Sequence, residues 1–145
     1  MKITFLILAA SIFCASVYAQ NLKVEQVPSV IKNSLNRSFP KAQGIEWEKQ
    51  GEMYNADFDI STVDHEVWIN AKGVVVKQKR SLTAMQLPAT VSAQIKKQYP
   101  SHRIDEVSQY QVGKQIFYKV ELENAGIDTY LVFDQFGKIS AKKFD

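Results

Sequence analysis

Apolar residues recur with a helical period in two stretches of this chain and with an alternating period over most of the rest. Val27, Ile31, Leu35 and Phe39 lie four apart, as do Leu87, Val91, Ile95 and Tyr99. Four-residue spacing lines side chains along one stripe of a helix. Val30 adds to the first stripe, while Lys32, Asn36, Arg37, Lys96 and Lys97 fall on the water side. Each stretch opens on an apolar-proline pair, Val27-Pro28 and Leu87-Pro88, and closes on an aromatic-proline pair, Phe39-Pro40 and Tyr99-Pro100. Proline suits the first helical position, where an N–H would lack a partner, and it disfavours helical geometry in the residue before it. The pattern therefore predicts two short helices bracketed by prolines. Thr83 followed by Gln86 fits a capping box and predicts an extra turn before Leu87.

After each second proline the period changes to two. Strands are predicted near 45–50, 53–61, 65–70 and 74–80, and again near 103–112, 115–123, 127–134 and 138–144. Between them stand tight-turn residues: Gly51, Thr62-Val63-Asp64, Asn70-Ala71-Lys72-Gly73, Gly113-Lys114, Asn124-Ala125-Gly126 and Asp134-Gln135-Phe136-Gly137. Short strands joined by such turns make an antiparallel meander.

The two halves are copies. Leu22 matches Leu82, Gln26 matches Gln86, and all four prolines fall in register at a separation of sixty residues. From Tyr54/Tyr118 to Gly73/Gly137 the separation is sixty-four, which places four extra residues in the first hairpin of the second copy. Internal repetition of this kind governs the choice of fold. The fold class is α+β, with two tandem units, 21–80 and 81–145. Each is one helix followed by a four-stranded meander, and the two share one curved eight-stranded sheet with both helices on one face.

Alternation assigns the faces. Tyr54, Ala56, Phe58, Ile60, Val67, Ile69 and Val75 share one phase, matched by Tyr118, Val120, Leu122, Leu131, Phe133 and Ile139. These belong under the helices. The opposite face is left with Trp68, Tyr130, Phe117, Val132, Val74 and Val76 among Asn55, Asp57, Asp59 and Glu66. Exposed aromatics gathered on a sheet face mark a protein-binding surface. The plainer account is that aromatic and β-branched residues favour strands for their own sake, and that the sheet covers part of this face itself.

Composition narrows the class. Lys2, an apolar run over 3–15 broken by Ser11, and Val17-Tyr18-Ala19 before Gln20 read as a secretory signal peptide over residues 1–19. The run falls short of the roughly 20 apolar residues of a membrane span, and Phe13 before Cys14 does not suit lipoprotein processing. A periplasmic or secreted protein with no stable membrane anchor is expected. The single cysteine is lost with the leader, which removes disulfides, thiolate nucleophiles and cysteine metal sites. The net charge of the whole sequence is +3. The positive charges are scattered apart from Lys77, Lys79, Arg80 and Lys142-Lys143 at predicted strand ends, where they discourage sheet-to-sheet pairing. No nucleic-acid partner is expected.

Catalytic signatures are missing. His65-Glu66-Val67-Trp68-Ile69 begins like a zinc motif but has Ile where the second histidine belongs. Asp57-x-Asp59-x-Ser61 begins like a calcium loop but has Thr62 and Trp68 at its glycine and glutamate positions. Asp57, Asp59, Glu66 and His65 remain the candidates for a cation or small-molecule site, against a solvated acidic face as the plainer reading. No nucleophile elbow or phosphate loop is legible, and His102 is assigned to a surface turn. No cofactor is implied. The leading expectation is a non-enzymatic exported module that binds a protein partner in the envelope or outside the cell. The alternative is a periplasmic small-molecule or metal-cation binding protein.

The ordered motifs resemble a known family. They stand as Leu87-Pro88, Tyr99-Pro100, Tyr118-Lys119-Val120-Glu121-Leu122 and Asp134-Gln135-Phe136-Gly137, with Val27-Pro28, Phe39-Pro40, Tyr54-Asn55-Ala56-Asp57-Phe58 and Asn70-Ala71-Lys72-Gly73 in the first copy. This is similar to the PepSY-like proteins, exported bacterial proteins often likened to β-lactamase inhibitory protein. The resemblance spans residues 21–145 and implies the two tandem units. It implies inhibition or regulation of an envelope or secreted protein by analogy of shape alone, and it transfers no contact residue.

Overall fold

A computed structural model of the chain describes residues 19–144. Of the expected leader over 1–19, residues 1–18 lie outside the described residues. The first helix, α1 (Ser29–Ser38), and the second, α2 (Ala89–Gln98), stand where the apolar stripes place them. Pro28 and Pro88 sit one position before the first helical residue, not within it, with extended backbone. Each helix is preceded by a one-turn 3₁₀ segment, Val24–Gln26 and Ala84–Gln86. In the second, the Thr83 backbone N–H donates to Gln86 Oε1 at 2.8 Å, as the capping box requires.

The strands form one antiparallel sheet in chain order. They are β1 (Ala19–Leu22), β2 (Gln43–Gln50), β3 (Met53–Ile60), β4 (Val63–Ile69), β5 (Val75–Leu82), β6 (Arg103–Val112), β7 (Gln115–Asn124) and β8 (Ile127–Asp134). The sheet is open: β1 and β8 are its edges. The first hairpin of the second half is longer, as its four extra residues demand, with ten-residue strands β6 and β7 against eight in β2 and β3.

Two strands depart from expectation. β1 is extra: it pairs Leu22 with Trp47 and Ala19 with Gln50 along β2. It is four residues long and mostly exposed, so it carries no alternation to read. The predicted strand over 138–144 does not form. Only Ile139 bridges to Phe133, and Ser140 N–H donates to Val132 C=O at 2.7 Å. In the first half the corresponding strand, β5, is hydrogen-bonded on both sides, to β4 and β6. The segment after β8 has one neighbour only, so strand propagation gains half as many bonds, and the chain leaves the edge.

Registry shows where the core lies. Val27, Ile31 and Leu35 bury against Trp47, Ala56, Phe58, Val67 and Ile69. Leu87, Val91 and Ile95 bury against Val107, Tyr118, Val120, Leu122 and Phe133. Cross-strand partners share a face, and Ala56–Val67–Gln78–Gln111–Ile116 is one such row. Ile116 stands in phase with Tyr118 and Val120 on β7, so both helices cover the same face. Val30 turns outward, off the predicted stripe, and Ile139 is exposed because its strand is missing.

Candidate functional site on the uncovered sheet face

The face away from the helices is built from three registered rows. One runs Glu48, Asn55, Trp68, Lys77, Val112, Gln115. The next runs Glu46, Asp57, Glu66, Lys79, Tyr110, Phe117, Asp134. The third contains Asp59 and Asp64 on β3 and β4 and Ser108, Lys119 and Val132 on β6, β7 and β8. Carboxylates therefore crowd the β2–β4 end, and aromatics with lysines fill the β5–β8 end.

The aromatic end is largely covered. Trp68 and Phe117, expected to be exposed, are only 6% and 7% accessible. They join Tyr110 and Phe144 in a separate small core, with Met53, Val76, Val112 and Val132 packed around it. The cover is the segment after β8. It leaves the edge beyond Ser140 and lays Phe144 across the face. The Phe144 ring stacks on Tyr110 with centroids 4.1 Å apart and tilts against Phe117 at 5.5 Å. Lys119 Nζ donates to the Phe144 carbonyl at 2.8 Å. The Lys142 ammonium stands 4.6 Å from the Phe117 centroid, and Lys77 Nζ 3.5 Å from that of Trp68. Such contacts combine cation–π attraction with burial of the lysine stem. Trp68 Nε1–H donates to Gln50 Oε1 at 3.0 Å, so its polar edge is satisfied.

The remaining expected residues divide. Val132 and Val76 are half-buried at the margin of this cluster. Val74 is 53% exposed but lies in the turn before β5, apart from the face. Tyr130 is the one expected aromatic that is open to solvent, at 58%. Its hydroxyl donates to Glu121 Oε1 at 3.1 Å, and this bond, with the Glu121 charge, holds its proton on beyond the ordinary tyrosine range. Between β8 and the covering segment lies a cavity of 510 Å³ lined by Lys119, Tyr130, Val132, Ser140, Lys142 and Phe144, among others. Exposed Ile127 and Phe136 flank the same edge.

Tyr110 and Phe144 were not in the expected set. Tyr110 was legible, because alternation along its strand puts it in the phase opposite to Val107 and therefore on the uncovered face. Phe144 was not, because its expected strand geometry gave no reason to carry it across the sheet.

The acidic candidates do not make a joint site with the histidine. His65 pairs with Phe58 on the helix side and stacks on its ring, 5.6 Å away and 7° from parallel. Asp57, Asp59 and Glu66 point to the opposite side of the sheet. Burial, then the charge of Arg80, lowers the His65 pKa, with Asp64 and Asp59 opposing. Glu66 is already engaged: Asn55 Nδ2 donates to it at 2.9 Å and Lys79 Nζ lies 3.7 Å away. Burial raises the Asp57 pKa, followed by repulsion from Asp64 and Glu66, while Lys79 lowers it. Among the described residues no group of three or more histidine, cysteine or carboxylate side chains is placed to hold a metal ion. His102, assigned to a surface turn, follows α2 and meets Tyr99 edge-on at 5.3 Å.

The chain thus combines an open eight-stranded antiparallel sheet, two helices on one side of it and an aromatic, lysine-edged patch on the other. The chain belongs to the PepSY-like family, described as β-lactamase-inhibitor-like, whose family model matches residues 16–77 and 52–141. Among curated proteins none matches the sequence. Solved structures share the fold. A DUF2874 family protein from Bacteroides uniformis is 24% identical, with 78% of this chain and 86% of that chain covered and a TM-score of 0.72. A BLIP-like protein from Bacteroides fragilis is 24% identical, with 80% and 84% covered and a TM-score of 0.69. A protein from Bacteroides eggerthii described as periplasmic is 20% identical, with 78% and 85% covered and a TM-score of 0.72. Among the described residues no helix is long and apolar enough to cross a membrane.

Proposed function

We propose that this chain is an exported, non-enzymatic binding module that engages a protein of the envelope or the exterior. In this reading two tandem units, 21–80 and 81–145, share one curved sheet, and the β8 end of the uncovered face carries the contact. Tyr130 is the observation that carries it. It is a large ring left mostly in water at the lip of a groove, with its hydroxyl fixed by Glu121 and the Lys119 ammonium 5.6 Å from its centroid. Tyrosines held in this way lose little side-chain entropy on contact and are enriched at interface centres. Val132, half-buried on the same face of β8, adds apolar area beside Tyr130. Membership of a family described as β-lactamase-inhibitor-like supports a protein partner.

The test replaces Tyr130 with alanine and, separately, Glu121 with alanine, and checks the fold by circular dichroism. Chemical crosslinking to native envelope proteins should then weaken for each variant relative to the unaltered chain. Equal crosslinking of all three proteins refutes this edge as the contact surface.

A further inference from the structure

We propose that the segment 139–144 is a displaceable strap, and that the slot holding Phe144 receives an aromatic side chain on an extended segment of a partner protein. The proposal rests on the binding reading above and deepens it by naming the partner's chemistry. Three observations carry it.

The first is the poverty of the attachment. Of 141–144 only Phe144 is buried, and the three residues before it are exposed. The strap is held by the Ile139 bridge, the Ser140 N–H to Val132 bond, the Lys119 bond to the Phe144 carbonyl and the Lys142 side chain lying on the rings.

The second is the quality of the slot. Tyr110, Phe117 and Trp68 come from β6, β7 and β4 and are fixed by sheet registry, not by the strap. The Tyr110 ring takes the Phe144 ring nearly parallel, 17° between planes, and Phe117 closes the slot at a tilt. A second lysine, Lys77, lies against Trp68, so the slot keeps cations beside its rings once the strap is gone. Any chain segment that supplies a ring and a backbone carbonyl in the positions taken by Phe144 repeats its contacts with Tyr110, Phe117 and Lys119.

The third is the difference between the two halves. The counterpart of 139–144 by the repeat is Val75–Arg80, which lies wholly within β5 and is paired along its length. In the second half the same stretch abandons the β8 edge and crosses the face. It leaves strand positions on β8 before Val132 without a neighbour on that side. An incoming extended segment could therefore add to this edge by backbone pairing while its ring enters the slot. The 510 Å³ groove between strap and β8 is the path between those two sites.

The test uses the chain over 20–145 with Phe144→Ala, and as probe a synthetic peptide of residues 138–145 together with a copy carrying alanine for its phenylalanine. Binding is followed by the fluorescence of Trp68 in a Trp47→Phe background. The Phe144→Ala chain should bind the peptide at least tenfold more tightly than the unaltered chain, and the alanine peptide should not bind. A second measurement needs no slot variant: excess peptide added to the unaltered chain should speed amide exchange at residues 140–144. A folded Phe144→Ala chain that ignores the peptide, or strap exchange unmoved by saturating peptide, overturns the proposal. Either failure leaves the Tyr130 contact standing. Loss of the Tyr130 effect in crosslinking, with peptide binding intact, overturns the binding reading instead.

Discussion

Gly137 presses against Thr90. A Cβ at Gly137 would stand 2.9 Å from the carbonyl carbon and oxygen of Thr90, and the glycine itself has φ +83°. The turn after β8 is thereby seated on the first turn of α2. Gly73 repeats the relationship against Val30 of α1, with a Cβ that would meet the Val30 carbonyl oxygen at 3.2 Å. Gly137→Ala should cost about 2–3 kcal/mol, combining left-handed strain with a backbone clash. Gly126→Ala, with φ +78° and nothing within 4 Å, should cost about 1 kcal/mol from strain alone. Urea denaturation of both variants checks the difference.

Ser34 ties α1 to that first-half turn. Its hydroxyl donates to the Gly73 carbonyl at 2.7 Å from a buried position. Ser34→Ala should lose about 1 kcal/mol. Gln94, the counterpart in α2, makes its side-chain bond to Gln98 on the exposed surface, so Gln94→Ala should be near neutral on the same denaturation curves.

Acid should act on His65 in a definite direction. Its folded pKa is lowered below 6.5, so between 6.5 and that lower value the unfolded chain binds more protons. Stability is therefore full above pH 6.5 and falls as the pH drops through this window. His65→Gln should flatten that part of the profile, measured as melting temperature against pH.

Asp57 has the opposite sign. Its pKa is raised above 3.8, so the folded chain binds more protons between 3.8 and the raised value. Its charge is a burden at neutral pH that lifts as the pH falls through that range. Asp57→Asn should raise the melting temperature at pH 7 and make no difference below pH 3.8. The gain should be small and should shrink in salt, because the group is exposed and screened.

Neither Ca²⁺ nor Zn²⁺ should shift the melting temperature. Glu66 is engaged by Asn55 and Lys79, and His65 faces the other side of the sheet. A thermal shift at millimolar metal that Asp57→Asn abolishes would restore the acidic group as a site.

Local pattern was enough for the helices, the 3₁₀ turn capped by Thr83, seven of the strands and the division of apolar residues between two faces. Those features depend on contacts a few residues apart, and on a period that a folded helix or strand must honour. Val27, Ile31 and Leu35 announce a buried stripe whatever they pack against, and Phe58 and Val120 announce a core face in the same way. Neither the added β1 nor the lost strand over 138–144 could be read this way. Whether a marginal stretch becomes a strand depends on how many neighbours the sheet offers it, and β2 had a free edge to give.

The candidate site followed the same division. Tyr130, Trp68, Phe117 and Val132 could be assigned to one face from alternation alone. Their exposure could not, because Phe144 returns from beyond the last strand to cover two of them, a contact set by chain path and not by period. His65 and Glu66 are neighbours in one predicted strand, so alternation alone sets them on opposite faces, while the register of β3 with β4 shows which face is His65's, beside Phe58. The amino-acid sequence alone determined which residues are apolar on which face and that the helix and turn motifs recur sixty to sixty-four residues apart. Tertiary structure alone decided which aromatic rings reach water, because that depends on where the segment after β8 goes once it has only one strand to pair with.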